Sequence, residues 1–259
     1  MPPAETAAAI KPADMIDGLR KGLEVICAFD DGTPRLTQSE LAARLSLSRA
    51  AARRYLMTLT ALGYMATDGR SFWLTPKVMR LGQSFLASSR LPQTVLPVLQ
   101  KLTNTLGEST NLSVIEGNEA VYLCRAAAPK LVSTTLEPGT RIPIYAATAG
   151  RVLLSFLSDA ALDATLAKLK IKAHCPSTET NLRVLKKAIV TIRRQGYGVT
   201  ENQFEMGLRG VSVPLVDESG RAVAAISVSM STAAMSAAQA VKLCIPALRE
   251  AAASLRSQL

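Results

Sequence analysis
Leu36-Thr-Gln-Ser-Glu-Leu-Ala-Ala-Arg-Leu-Ser-Leu-Ser-Arg-Ala-Ala-Ala-Arg-Arg-Tyr-Leu-Met-Thr-Leu-Thr-Ala-Leu-Gly-Tyr64 reads as two short helices joined by a tight turn. Thr37 and Glu40 form a T-x-x-E capping box, which starts the first helix, with Leu41 and Leu45 as its apolar positions. Ser46-Leu47 makes the turn, and Ser48 is placed to N-cap a second helix running to about Leu62. On a wheel of that helix Ala52, Tyr55, Leu56 and Leu59 share one arc, while Arg49, Ala50, Arg53, Arg54 and Met57 fall on the other with no acid among them. A helix with an apolar back and small residues and arginines in front suits the DNA major groove. The expected DNA contacts are Ser48, Arg49, Ala50, Arg53 and Arg54.

The flanking segments extend this reading. Gly63 ends the helix, and residues 64–74 form two extended runs around Asp68-Gly69, a two-residue hairpin signal. A hairpin after a recognition helix makes a winged helix-turn-helix, with Arg70 at the wing tip to reach a phosphate or the minor groove. Upstream, Ile16, Leu19, Leu23 and Ile26 share one helical face and are expected to supply the first helix of a three-helix core. A solvated, charged helical hairpin is the plainer alternative. Turn, wing and arginine placement agree against it.

A chain of 259 residues with net charge +10 has room for two domains and favours a polyanionic partner, although RNA or an anionic membrane would suit the charge equally well. No apolar run is long enough to span a bilayer and the N-terminus lacks a signal-peptide core, so a cytoplasmic protein is expected. Cys27, Cys124, Cys175 and Cys244 are scattered, as reduced thiols packing as small hydrophobes would be; Cys175 has the most exposed-looking neighbours. The expected domains are a disordered tail over 1–12, a winged helix-turn-helix domain over 13–76, a connecting helix and linker over 77–91, and a second domain over 92–259.

In that second domain, a helix over 92–106 contains Pro97, which should delay or kink it. The pattern then changes to alternation. Strands over 109–115 and 120–125 flank one turn, and strands over 131–136 and 141–145 flank another. Helices follow over 150–157, 158–169 and 180–195, the last with Leu182, Leu185, Ile189 and Ile192 inside. Strands over 211–216 and 222–230 precede a closing helix over 237–255. Hairpins interspersed with helices predict an α+β domain with one antiparallel sheet, helices on one side and room for a ligand on the other.

Six phrases in order resemble the IclR family of bacterial transcription regulators, in its branch governing catabolism of aromatic acids such as protocatechuate and 4-hydroxybenzoate. They are Leu19-Arg-Lys-Gly-Leu-Glu-Val, Leu47-Ser-Arg-Ala-Ala-Ala-Arg-Arg, Gly139-Thr-Arg-Ile-Pro143, Ala149-Gly-Arg-Val-Leu-Leu154, Gln195-Gly-Tyr and Gly207-Leu-Arg-Gly-Val-Ser-Val-Pro214. The resemblance implies a GAF-like α/β effector domain that binds a small carboxylate and helps to oligomerise. It also implies dimers pairing through the N-terminal domain, homodimers or homotetramers on operator DNA, and contact with RNA polymerase if the protein activates. It places the effector among Thr148, Ala149 and Gly150, with Thr200, Gly210, Ser227 and Ser229. Hydroxyls and helix N-terminal amides there suit a carboxylate, and Ser227 and Ser229 alternate on one strand face. Regulators of the glyoxylate type carry an acid at the position of Thr200 and cysteine at that of Gly210, so a larger, flat ligand is favoured here. Tyr122, Tyr145 and Met230 are possible walls, each weighed against an ordinary core role.

Other functions find less support. His174 is the lone histidine and has no nucleophile motif around it, no spacing of Cys, His or Asp suits a metal, and no cofactor is expected. Gly196-Tyr-Gly198 lacks the strand-to-helix context of a dinucleotide loop and reads as a helix C-terminal turn. Two alternatives stay open: a regulator sensing an aliphatic keto- or dicarboxylic acid, and a ligand-independent structural DNA-binding protein.

Overall fold
The computed structural model describes residues 11, 14–30, 32–129 and 136–259. The chain divides between Ser89 and Arg90 into two compact units. The tail expected over 1–12 falls outside the described residues except for Lys11.

The first unit contains α1 (Asp17–Cys27), β1 (Leu36–Thr37), α2 (Gln38–Arg44), α3 (Arg49–Ala61), β2 (Met65–Thr67), β3 (Ser71–Leu74) and α4 (Met79–Ser88). The capping box forms: the Thr37 hydroxyl accepts from Glu40 N at 3.3 Å, and the Glu40 carboxylate accepts from Thr37 N at 2.7 Å. Leu47 N donates to Ala42 O at 2.9 Å to close the inter-helix turn, in which Ser46 takes a left-handed φ of 52°. Ser48 Oγ accepts from Ala51 N at 3.2 Å and starts α3. Leu41, Ala52, Leu56, Leu59, Met65 and Phe72 bury together with Val25. Leu36 and Thr37 also pair with β3, giving a three-stranded sheet of order β1-β3-β2.

Two local expectations need correction here. α1 forms, but only the C-terminal end of its expected stripe meets the core: Ile26 packs against it, whereas Ile16, Leu19 and Leu23 are 70%, 62% and 49% exposed, and Val25 and Ala28 are buried instead. Periodicity shows which residues share a face, not whether that face meets its own chain. The wing turn is also not a two-residue Asp-Gly turn. Thr67 pairs with Phe72, and the Asp68 carboxylate accepts from the amides of Arg70 at 2.9 Å and Ser71 at 2.8 Å. An Asx-type turn with Gly69 at φ 92° therefore builds the tip. The connecting helix is split into a 3-10 turn over Pro76–Val78 and α4, whose Met79, Leu81 and Phe85 are exposed.

The second unit contains α5 (Arg90–Leu106), β4 (Ser109–Glu116), β5 (Glu119–Ala126), β6 (Arg141–Pro143), α6 (Thr148–Leu154), α7 (Asp159–Lys168), α8 (Leu182–Gln195), β7 (Gly198–Glu201), β8 (Leu208–Val216), β9 (Ala222–Ser231) and α9 (Ala237–Leu255). The strands form one antiparallel sheet of order β6-β5-β4-β9-β8-β7. α5 starts at Arg90 and accommodates Pro97 in its interior without delay. Leu99, Leu112, Val211, Ile226, Val228 and Leu248 unite α5, α9 and one face of the sheet. On the other side, Tyr122, Ile142, Leu154, Leu162, Leu185 and Ile189 form a second core with α6, α7 and α8. Leu182, expected inside α8, is exposed, since Asn181 caps the helix and Leu182 is its first residue. Gly196 ends α8 in the left-handed region, φ 76°, as the helix-turn reading of that glycine requires. Of the strand expected over 131–136, only Leu136 is described, and it is buried.

Candidate functional site
Two sites stand out, one in each unit. In the first, α3 buries Ala52, Leu56 and Leu59 and leaves Ser48, Arg49, Ala50, Arg53, Arg54 and Met57 exposed. Gln38 Nε2 donates to Arg49 O at 2.9 Å and sets the approach of α2 to α3. Charge pairing separates the cations of this unit into two sets. Arg20 pairs with Asp17 and Glu24, Lys21 with Asp17, Arg44 with Asp30, and Arg35 with Asp68 at 3.5 Å. Among the described residues no carboxylate forms an ion pair with Arg49, Arg53, Arg54 or Arg70. The charges on α3 are free for phosphates and base edges, and Arg70 feels only a longer-range attraction to Glu40. The wing is stiffened at its base, where the Arg35 guanidinium lies 4.1 Å over the Trp73 ring.

The second site is a recess between α6 and the sheet. It is lined by Tyr122, Ile142, Ala146, Ala147, Thr148, Ala149, Thr200, Gln203, Phe204, Leu208, Gly210, Ser227 and Ser229. Of the expected effector residues, Thr148, Ala149, Thr200, Gly210, Ser227 and Ser229 come together here, although they lie on four different elements. Gly150 is not on the wall. A Cβ there would come within 2.3 Å of Ile144 O, so this glycine serves the close packing of α6. Gly210 serves a similar purpose inside the recess: its missing Cβ leaves room for the Thr148 hydroxyl, which hydrogen-bonds Thr200 Oγ1. Ser227 Oγ donates to Ser212 Oγ at 2.9 Å, and Ser229 Oγ accepts from Asn111 Nδ2 at 3.0 Å.

The three possible walls, Tyr122, Tyr145 and Met230, take different places. Tyr122 lines the recess, with its phenol pushed up to about 12 by burial. Tyr145 is buried behind the recess and exchanges hydrogen bonds with the Lys172 backbone. Met230 packs on the opposite face of the sheet. Cys175 is buried, with its thiol 2.6 Å from Asn202 O; the exposed thiol is Cys27.

Gln203 and Phe204 escape sequence reasoning, because they lie in an irregular segment after β7 with no motif. Gln203 Oε1 accepts from Arg151 Nη2 at 2.6 Å and Glu179 N at 3.0 Å, and its Nε2 donates to Ser177 O at 2.7 Å. Arg151 itself is buried, and desolvation lowers its guanidinium to about 10, still charged at neutral pH. No carboxylate lines the recess, and this cation stands one residue behind it.

The recess measures about 380 Å³ out to its open mouth, solvent at the mouth included, and it is narrow inside. A ring-sized ligand therefore has to part the walls. Among the described residues no cluster of His, Cys, Asp or Glu suits a metal, and no helix is long and apolar enough to cross a membrane.

Comparison with known proteins identifies both units. The model of the IclR helix-turn-helix domain matches residues 18–69, and that of the bacterial transcriptional regulator IclR C-terminal domain matches residues 83–257. The chain is 35% identical over 247 residues to the Pca regulon regulatory protein of Pseudomonas putida, covering 95% of this chain and 85% of that one. It is 33% identical over 257 residues to the p-hydroxybenzoate hydroxylase transcriptional activator of Acinetobacter baylyi, covering 96% and 93%. An IclR homolog from Microbacterium hydrocarbonoxydans, crystallised with 4-hydroxybenzoate, superposes with a TM-score of 0.76 at 25% identity, covering 92% of this chain and 94% of that one. These matches, with an unpaired arginine face on α3 and a narrow recess in the second unit, place the chain in the IclR family of DNA-binding transcriptional regulators rather than among enzymes.

Proposed function
We propose that the recess binds a carboxylated aromatic acid such as 4-hydroxybenzoate or protocatechuate, and that its occupancy resets the affinity of the α3 head for an operator controlling aromatic catabolism. The observation that carries this reading is the division of the recess into two kinds of wall. Hydroxyls of Thr148, Thr200, Ser227 and Ser229 share the recess with the apolar bodies of Tyr122, Ile142, Phe204 and Leu208. Ser227 already donates to Ser212, so charge-assisted hydrogen bonds from the Thr148–Thr200 pair and from Ser229 hold a carboxylate, and the apolar lining takes a ring. The buried Arg151 adds positive potential without direct contact. Because α6 has only seven residues and no side-chain cap, the hydroxyls contribute more here than the helix dipole does. Relatives named for the Pca regulon and for p-hydroxybenzoate hydroxylase, and a structural neighbour holding 4-hydroxybenzoate, favour the same ligand class.

The protein acts in the cytoplasm as a homodimer or homotetramer, since one recognition helix reads too few base pairs for a specific operator. The exposed apolar stripes of α1 and α4 are available for pairing copies. The narrowness of the recess favours one second reading, a short aliphatic keto- or dicarboxylic acid. Titration calorimetry with aromatic acids and short dicarboxylates decides between them. Binding of aliphatic acids alone would replace the aromatic reading; no binding at all, with operator affinity indifferent to every acid, would end the sensor reading.

A further inference from the structure
The sheet beneath the recess carries buried polar atoms that the chain does not itself satisfy. Asn111 and Ser113 project from β4 on the recess side, the intervening Leu112 packing with α5 and α9. Both are fully buried. The Asn111 amide donates to Ser229 Oγ at 3.0 Å, but its Oδ1 and the Ser113 hydroxyl have no hydrogen-bond partner among the described residues. Nearly all buried polar atoms in native proteins are paired. An orphan carbonyl oxygen directly behind a wall residue of a ligand recess marks a place where the ligand supplies the missing donor.

We propose that Asn111 is the specificity-determining residue of the recess, its Oδ1 accepting the ring hydroxyl of a para-hydroxylated benzoate. The proposal rests on the aromatic-acid reading above. A carboxylate only accepts hydrogen bonds and is repelled by a second acceptor, whereas a phenol donates. The carboxylate therefore lies at the other end, among the hydroxyls of Thr148 and Thr200. The strand order β4-β9-β8-β7 sets the span. Asn111 is in register with Ser227 and Ser212, two residues along from the row of Ser229, Gly210 and Thr200. At about 4.8 Å per strand and about 3.4 Å per residue it stands roughly 12 Å from Gly210 on β8, against which Thr148 sits, and roughly 16 Å from Thr200 on β7, backbone to backbone. A para-substituted ring with a hydrogen bond of about 2.8 Å at each end bridges that interval. Arg125, in register with Asn111 on β5 and so on the same face of the sheet, donates to Ser109 Oγ at 3.3 Å and to the Leu136 carbonyl. Benzoate without a hydroxyl leaves Oδ1 buried and unpaired, and is discriminated against for that reason.

The test is titration calorimetry of the full-length protein and of Asn111→Leu and Asn111→Ser with benzoate and 4-hydroxybenzoate. The unaltered protein should prefer 4-hydroxybenzoate by about tenfold or more. Leucine is close to asparagine in size but has no acceptor, so Asn111→Leu should bring the two acids within about threefold of each other. Benzoate should bind this variant at least as tightly as before, which also reports that its recess is folded. If Asn111→Leu does not fold, Asn111→Ser, too short to reach the hydroxyl, must show the same loss of preference. Retention of the preference in the folded variant overturns the proposal. So does an equal loss of affinity for both acids, which would assign Asn111 to the carboxylate or to strand support. Equal binding of both acids by the unaltered protein overturns it too, while leaving the aromatic-acid reading intact. Binding of neither acid removes that reading, and this proposal with it.

Discussion

Arg53 and Arg70 carry the same charge but perform different tasks. Arg53 lies one turn beyond Arg49 on the outer face of α3, where a bidentate pair with guanine discriminates by about 1–3 kcal/mol. Arg53→Ala should weaken operator binding and relax specificity at a single base pair, with the fold intact. Arg70→Ala, at the wing tip, should weaken binding evenly across sequences and lower the salt slope by about one. Gel-shift titrations on operator and scrambled DNA over a salt series separate the two; unchanged affinity in both variants would dispose of the reading head. Gly210 makes an equally sharp case in the recess. A Cβ there would lie 2.1 Å from Thr148 Oγ1, so Gly210→Ala must push Thr148 off its bond with Thr200. Overpacking of this kind costs about 1–3 kcal/mol. Effector affinity should fall about tenfold or more, with the operator affinity of the ligand-free protein unchanged.

Elements set the next scale, and the wing depends on one carboxylate. Hydrogen bonds from the amides of Ser71 and Arg70 hold Asp68 below the usual carboxylate value of 3.8. A depressed folded value means that the contribution of Asp68 is complete above the unfolded value and is lost as pH falls through the lowered folded one. Amide-exchange protection of Arg70 and Ser71 should therefore hold from neutral pH down to about 4 and collapse below it. In Asp68→Ala it should be weak at every pH; equal protection in the variant at neutral pH would show that the Asx turn is not what orders the tip. α1 poses the opposite problem, an element formed but only partly used. Its exposed Ile16, Leu19 and Leu23 make an apolar stripe suited to another copy of the chain. Under the proposed pairing of copies, Leu19→Glu with Leu23→Glu should shift sedimentation of the micromolar protein towards monomer, and lose operator binding with it. A double variant that sediments like the unaltered protein would remove α1 from the assembly.

At the scale of the whole molecule, the reading head and the recess belong to separate compact units, each with its own core. A ligand at 100 times its dissociation constant stabilises the state it binds by about 2.7 kcal/mol. A saturating aromatic acid should raise the melting of the second unit, and move that of the first only as far as the two are coupled. Reciprocity then requires operator DNA to change effector affinity by the factor with which effector changes operator affinity. Calorimetry with and without operator measures both legs, and an effector that shifts melting but leaves operator affinity unchanged would show a binding domain without a switch.

What could be read from the sequence were features whose energies are local. The Thr37–Glu40 box, the Ser48 cap, the Gly196 stop and the limits of α9 depend on residues a few positions apart, and all are found where the residues place them. The arginine face of α3 follows from helical spacing alone. Tertiary structure decided what those faces meet. It left Ile16, Leu19 and Leu23 of the α1 stripe in solvent, put Met230 on the far side of the sheet and buried Cys175. It drew Leu36 and Thr37 into a third strand of the wing sheet. Above all it assembled the recess, where Thr148 meets Thr200, Arg151 meets Gln203, and Asn111 meets Ser229 from 118 positions away. Such meetings depend on which strand lies beside which, and the pairing of β4 with β9 is a balance over whole strands that no short window of sequence contains.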